Sequence, residues 1–298
     1  MKKKIQINPI LKKEMMVGSR SIKMSLGIMG VNILLTLIVL LVLAINNSIS
    51  DYSGYDYSNL VYLFPILGCV ECGLLSLIVP IITSGAISGE RERQTLDIML
   101  TTPVSPIFIA IGKLESAMMV VMMYMVTSIP VMAIAFVLGG MSWWALLGLV
   151  VMLLYLGIYV GSVGIFCSSV VKKSVMATLL TFVIGIGILI LTSTVFSVGT
   201  SIISYRAYYA GADTNLGLLP VVLMFNPYTP VFDFMIRVMS SSSIGEMIED
   251  TTTVSLTLQN LYHCWIPVSI VLNLFVAYGF LKLAAKNITI TKKRKKKK

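Results

Sequence analysis

Six stretches of this chain are long and apolar enough to cross a bilayer, and that pattern limits what the rest of it can do. They run over residues 26–45, 60–83, 107–138, 142–167, 175–198 and 264–285, where a crossing needs about 20 residues of helix. The third includes a surface turn before it enters lipid. With 57% hydrophobic and only 12% charged residues among 298, the chain has too little polar surface to wrap a soluble globule of its size. The expected fold is all-α: a polytopic membrane protein with six transmembrane helices, forming a single transmembrane domain over residues 1–298.

Lys and Arg set the orientation, because loops rich in them stay on the cytoplasmic side during insertion. Seven precede the first span, three fall at Arg91, Arg93 and Lys113, two at Lys172 and Lys173, and nine follow from Lys282 onward. Those 21 of 23 share one side when there are six spans, leaving Arg206 and Arg237 opposite. Both termini are therefore expected in the cytoplasm of a multi-pass protein in the cell (plasma) membrane. A cleavable signal peptide fits poorly, since the first apolar run begins only after about 25 residues. The net charge of +10 does not point to nucleic acid, because the basic residues flank spans and form no patch interleaved with aromatics. Topology and contact with anionic lipid explain them better, and the basic run from Lys292 to Lys298 reads first as a disordered tail that retains topology and second as a grip on acidic headgroups.

Before the first span, Asn8-Pro9 reads as an N-cap followed by a first-turn proline. Leu11, Met15, Gly18 and Ile22 then share one face, so residues 9–22 are expected as an interfacial helix. Gly139-Gly140 makes a tight external turn, and Trp143 and Trp144 anchor the next helix at headgroup level. The region 199–263 is too long for a simple turn. It holds an apolar run over 216–224 that is too short to span, broken by Asn226-Pro227 and Thr229-Pro230. Two readings of it stay open: a re-entrant segment capping an exit path, or a structural plug lying on the surface.

Between the second and third spans the chain turns abruptly charged, at Glu90, Arg91, Glu92, Arg93 and Asp97. Thr95 can N-cap a short helix with Asp97 near its positive end, while Leu96, Met99 and Leu100 share a face and Pro103 limits the run. An amphipathic element of this kind docks something. Glu71 is the one acid well inside a span, where an unpaired charge costs about 2.5 to 3.5 kcal/mol. It is neutral, paired or facing water: either a proton or cation site on a possible translocation path, or a local hydrogen-bonding group near the outer interface. Cys69 and Cys72 flank it at i, i+3 spacing, a weak metal signal that is better read as small hydrophobes. Gly157, Gly161 and Gly164 allow close helix contact, and the methionines between Met118 and Met125 soften the third span.

Chemistry is sparse. Gly112-Lys113 lacks the upstream glycine and the following Ser or Thr of a phosphate loop, and with one histidine, His263, there is no hydrolytic triad or HExxH zinc motif. No catalytic, cofactor-binding or metal-ligating set is expected.

The stretch from Ile87 to Pro103, together with six spans and the N-terminal interfacial helix, resembles the membrane subunits of type-two ABC exporters over essentially the whole chain. Gln94 stands where many relatives carry Gly. The resemblance implies that residues 88–103 hold the coupling helix that contacts a separate cytosolic ABC ATPase, through Glu90, Arg91, Glu92, Arg93, Thr95, Leu96, Asp97, Met99 and Leu100. It implies that residues 168–174 make a smaller second contact and that residues 9–22 brace the same ATPase. It further implies two ATPase copies and a second permease copy, the same chain or a related one. The function implied is export of an amphipathic or hydrophobic substrate from the cytoplasm or inner leaflet. On that reading Leu96→Asp and Glu92→Arg uncouple hydrolysis from transport while leaving the fold intact. The alternatives are a proton- or ion-coupled carrier or channel using Glu71, and a membrane scaffold that does not transport.

Overall fold

The computed structural model describes residues 22–53, 57–96, 104–211, 215–240, 243, 244, 246 and 264–295. The interfacial helix expected at 9–22, apart from Ile22, and residues 97–103 of the charged segment lie outside them, as does His263.

Every long apolar run has become a helix. These are α1 (Ile22–Ser53), α2 (Leu63–Glu92, preceded by a 3-10 turn at Tyr57–Tyr62), α3 (Pro106–Leu138), α4 (Trp143–Val170), α5 (Ser174–Ala210) and α8 (Trp265–Lys295). Between α5 and α8 lie the short α6 (Val221–Met224) and the amphipathic α7 (Thr229–Ser240). Six of these helices carry stretches long and apolar enough to span, and the described residues contain no strand. Each expected span has its helix. The Gly139-Gly140 turn is present with Gly140 at φ +65°, and Trp143 and Trp144 are exposed just after it.

Four helices run well beyond what the apolar runs alone suggest, among them α1, which reaches Ser53, and α8, which reaches Lys295. α2 continues past residue 83 to Glu92, and α5 continues past 198 to Ala210. Nothing in 199–210 breaks a helix. Thr200 and Ser201 donate to the Ser197 carbonyl at 2.9 and 2.8 Å, which quiets their hydroxyls within the helix. The break comes at Gly211, which adopts φ +60° and caps the helix through its N–H to Tyr208 O. The loop expected from 199 therefore starts 12 residues later, after a helical extension of α5.

α4 is the centre of the bundle. In its apolar stretch 61% of residues are buried, against 11% in α1 and 17% in α5, and it packs on α2, α3, α5, α7 and α8. The expected glycine contact is there. A Cβ at Gly161 would sit 2.7 Å from Leu114 Cδ1, and one at Gly164 would sit 2.0 Å from Thr83 Oγ1, so α2 and α3 approach α4 where it has no side chains. Because association in lipid gains little from burying apolar surface, this close van der Waals fit is the main attraction available.

The segment between α5 and α8 dips into the bundle. At the turn between α6 and α7, the Tyr228 hydroxyl donates to Ser76 Oγ at 2.9 Å. Ser76 lies about 20 Å along α2 at 1.5 Å per residue. Asn226 Nδ2 donates to Thr192 Oγ1 at 3.0 Å, and its Oδ1 accepts the Tyr228 N–H at 2.9 Å. Asn273 Nδ2, on α8, reaches the Met224 carbonyl at 2.9 Å. α7 then returns between α2 and α4, where Met235 covers Gly68 and Phe234 covers Gly148. The described residues fold this turn back into the helix bundle, in contact with α2, α5 and α8. Non-helical backbone persists at this depth because it is buried in protein and hydrogen-bonded by side chains.

Gly164→Val forces α4 away from Thr83 and is expected to destabilise the fold by about 1–3 kcal/mol. Gly187→Ala, at a glycine with open space around it, is expected to have little effect. Thermal unfolding of the two variants in nanodiscs reads the difference.

Candidate functional site

The charged end of α2 does not project freely. It is clasped to the turn between α4 and α5. Arg91 donates through both terminal guanidinium nitrogens, to Val171 O and Ser169 O, each at 3.2 Å. Glu92 accepts from the Ser174 N–H at 2.9 Å and from Ser174 Oγ at 2.6 Å. Ser174 opens α5, so this carboxylate caps the positive end of that helix. One turn deeper, Ser168 Oγ accepts from the backbone N–H groups of Ile87 and Ser88, both at 2.9 Å, and Ser84 Oγ meets Thr178 Oγ1 at 2.5 Å. Asn287 adds α8 through Ser169 Oγ at 3.3 Å. Two segments expected to be separate contacts, 88–103 and 168–174, thus form one joint as far as the described residues extend.

The helix stops by a specific device. Thr95 N–H bonds Glu90 O at 2.9 Å and Gln94 N–H bonds Arg91 O at 3.2 Å, a Schellman pair around Gln94 at φ +60°. The left-handed region costs a residue with a Cβ roughly 1–2 kcal/mol. That cost accounts for a glycine preference at this position, and Gln94 bears it here. Glu90 turns inward, bonded to Thr95 Oγ1 and to Lys113 Nζ at 3.2 Å. Arg93 and Gln94 are exposed, as are Lys172 and Lys173 across the joint.

Leu96 departs from the expectation. It is only 4% exposed and packs with Ile87, Ala110, Leu114, Ile165 and Leu281 in the chain's own core, so it is not offered to a partner. Leu96→Asp therefore attacks packing and cannot leave the fold intact, because an acid would replace a core side chain. Glu92→Arg likewise removes the cap on α5 in addition to any effect on docking. Asp97, Met99 and Leu100 lie outside the described residues.

Glu71 is buried at 6% exposure in α2. Ser128 of α3, which sequence reasoning did not single out, hydrogen-bonds its Oε1. The carboxylate lines a narrow cleft with Val31, Leu75, Ile78, Tyr124 and Met125. A second cleft lies between α4, α5 and the re-entrant turn, lined by Tyr159, Val163, Thr181, Gly185, Pro227 and Tyr228. Cys69 is exposed while Cys72 is buried, so the two thiols face different surroundings. Among the described residues no three His, Cys, Asp or Glu side chains converge as a metal site.

The sequence pattern of the ABC-2 family transporter protein matches residues 46–281, well over half of the chain. The chain belongs to that family. A search of curated proteins finds no match. As an ABC-2 family permease it is a membrane transport subunit, and the matched range contains the clasped joint, the Glu71 cleft and the re-entrant turn.

Replacing the strained Gln94 of this permease by Gly relieves the left-handed penalty, offset in part by glycine's greater freedom when unfolded. Gln94→Gly is expected to slow amide hydrogen exchange at Gln94 and Thr95, and Gln94→Val to hasten it. Glu92→Arg is expected to hasten exchange at the first turn of α5. Equal exchange in all four proteins, wild type included, would contradict the strain and the cap.

Proposed function

We propose that this permease is the membrane half of an ATP-driven exporter and that the joint between α2 and the α4–α5 turn is where a separate cytosolic ABC ATPase docks. The observation that carries the reading is the double clasp of Arg91 and Glu92 onto residues 169–174. A channel or a proton-coupled carrier has no need of a rigid charged joint at the end of its helices. An ATPase that closes on ATP does need one, because it can bias two transport states only through contacts that differ between them. The exposed cations Arg93, Lys172 and Lys173 form the outer face of the joint, with Glu92 beside them.

Two permease copies and two ATPases are the expected assembly, with ATP and Mg held by the ATPases. Both termini and the joint lie in the cytoplasm on this account, in keeping with the positive charge gathered at that end. Amphipathic or hydrophobic molecules suit clefts walled by valine, leucine, isoleucine, methionine and tyrosine. The second reading, an ion- or proton-coupled carrier, draws on Glu71 alone and predicts flux that needs no ATPase.

The test reverses only exposed charge. Arg93→Glu combined with Lys172→Glu and Lys173→Glu is expected to cut recovery of the ATPase with the tagged permease about tenfold, which is near 1.4 kcal/mol. Arg206→Glu, exposed on the far part of α5, is expected to change nothing. Undiminished recovery in the triple variant would remove this face from the mechanism.

A further inference from the structure

A charged carboxylate inside a membrane bundle calls for a partner, and among the described residues no cation pairs with Glu71. Of the two ion pairs among the described residues, one joins Lys113 to Glu90 and the other Arg237 to Asp233. Asp233 shows what a satisfied buried acid looks like in this same chain. Fully buried, it accepts from Arg237 Nε at 3.3 Å, Ser243 Oγ at 3.1 Å and the Ile244 N–H at 2.5 Å. Glu71 is almost as deeply buried, yet its hydrogen-bonding partner among the described residues is one hydroxyl, Ser128 Oγ. Ser128 also lies 2.9 Å from the Met125 carbonyl, so its single proton is shared between two acceptors. The acid is thus underserved by its own protein, and it faces a cleft.

The walls of that cleft say what would serve it. Val31, Leu75, Ile78 and Met125 offer a narrow apolar surface, and Tyr124 presents a ring on the same cleft. Tyr124 is held against α1 where Gly27 leaves room: a Cβ at Gly27 would lie 2.4 Å from the tyrosine hydroxyl. A carboxylate, an aromatic face and an aliphatic slot together match a cation carried on a hydrocarbon. The same three helices carry exposed apolar side chains within three residues of the lining, Leu34, Leu77 and Met122, so the cleft adjoins the surface that lipid covers.

We propose that this cleft binds the head of cationic amphiphiles, with the ammonium or equivalent cation paired to Glu71 and the chain running out over the lipid-covered surface beside Leu34, Leu77 and Met122. The proposal rests on the reading of the protein as a permease for amphipathic molecules and narrows its substrate class to positively charged ones. Glu71 acts as the selectivity group, and neutral amphiphiles of the same length lie on the same surface without pairing.

The test uses the full chain in lipid nanodiscs with dodecylammonium and dodecanol as probes, and empty nanodiscs to subtract partition into lipid. Wild-type protein is expected to bind dodecylammonium at least tenfold more tightly than dodecanol, and Glu71→Gln, which keeps the size of the side chain, is expected to abolish that ratio. Equal affinity for the two probes in the wild-type chain overturns the proposal without recourse to any variant. A ratio that survives in Glu71→Gln overturns it as well. Recovery of an ATPase, scored on the same membranes, separates the two levels of the account. Selective binding without an ATPase supports the site and overturns the exporter reading, whereas an ATPase without selective binding preserves the exporter reading and overturns the site.

Discussion

A bilayer supplies no water to an unpaired peptide group, and the architecture of this permease follows from that constraint. Six helices satisfy their own backbones across the membrane. Where the described chain enters the bundle and turns around, between α6 and α7, it needs help from side chains. Asn226 closes the turn on the Tyr228 N–H and anchors it to Thr192, while Asn273 takes the Met224 carbonyl. α7 then fits because Gly68 and Gly148 leave space for Met235 and Phe234. Polar side chains at depth and glycines on the facing helices are two parts of one solution.

The same economy shapes the charged end. Arg91, Glu92 and Ser168 connect α2 to the α4–α5 turn through backbone groups that the ends and bends of helices leave available. Such a connection is stiff, because Arg91, Glu92 and Ser168 each bond at least one main-chain group. Force applied to the exposed cations of the joint would reach α2, α4 and α5 together, and α4 is the helix on which the others pack. A push at this end therefore reaches the second cleft through α4 and α5, and the Glu71 cleft along the continuous α2. On the proposed account, ATP-driven closure works through that route by favouring one packing of the bundle over another.

The spans were legible because 20 or so apolar residues leave a chain in lipid no alternative to a helix. The glycines at 157, 161 and 164 were legible for a similarly local reason, since small residues at helical spacing mark where helices touch. What remained hidden were facts about neighbours. Leu96 has the look of an exposed docking residue beside five charges, and only the packing of α3, α4 and α8 around it shows that it is core. Ser168 looks like an ordinary turn residue until α2 is placed beside it. Ser128 gives no sign in sequence that it meets Glu71, which lies 57 residues away. The depth of the re-entrant turn was undecidable for the same reason: its asparagines are informative only with Thr192 and Met224 in reach. The length of α5 was misjudged on different grounds, because hydropathy marks the edge of lipid and not the end of a helix.

The central claim is that the clasped joint is an ATPase-docking face. A photo-crosslinking amino acid placed at Lys173 in the full chain, activated in native membranes and followed by mass spectrometry of the products, tests it most directly. The account predicts an adduct with an ABC ATPase subunit that is absent when the crosslinker is placed at Arg206 instead. Adducts at Lys173 with lipid alone, in membranes where other permease–ATPase complexes crosslink normally, would contradict it.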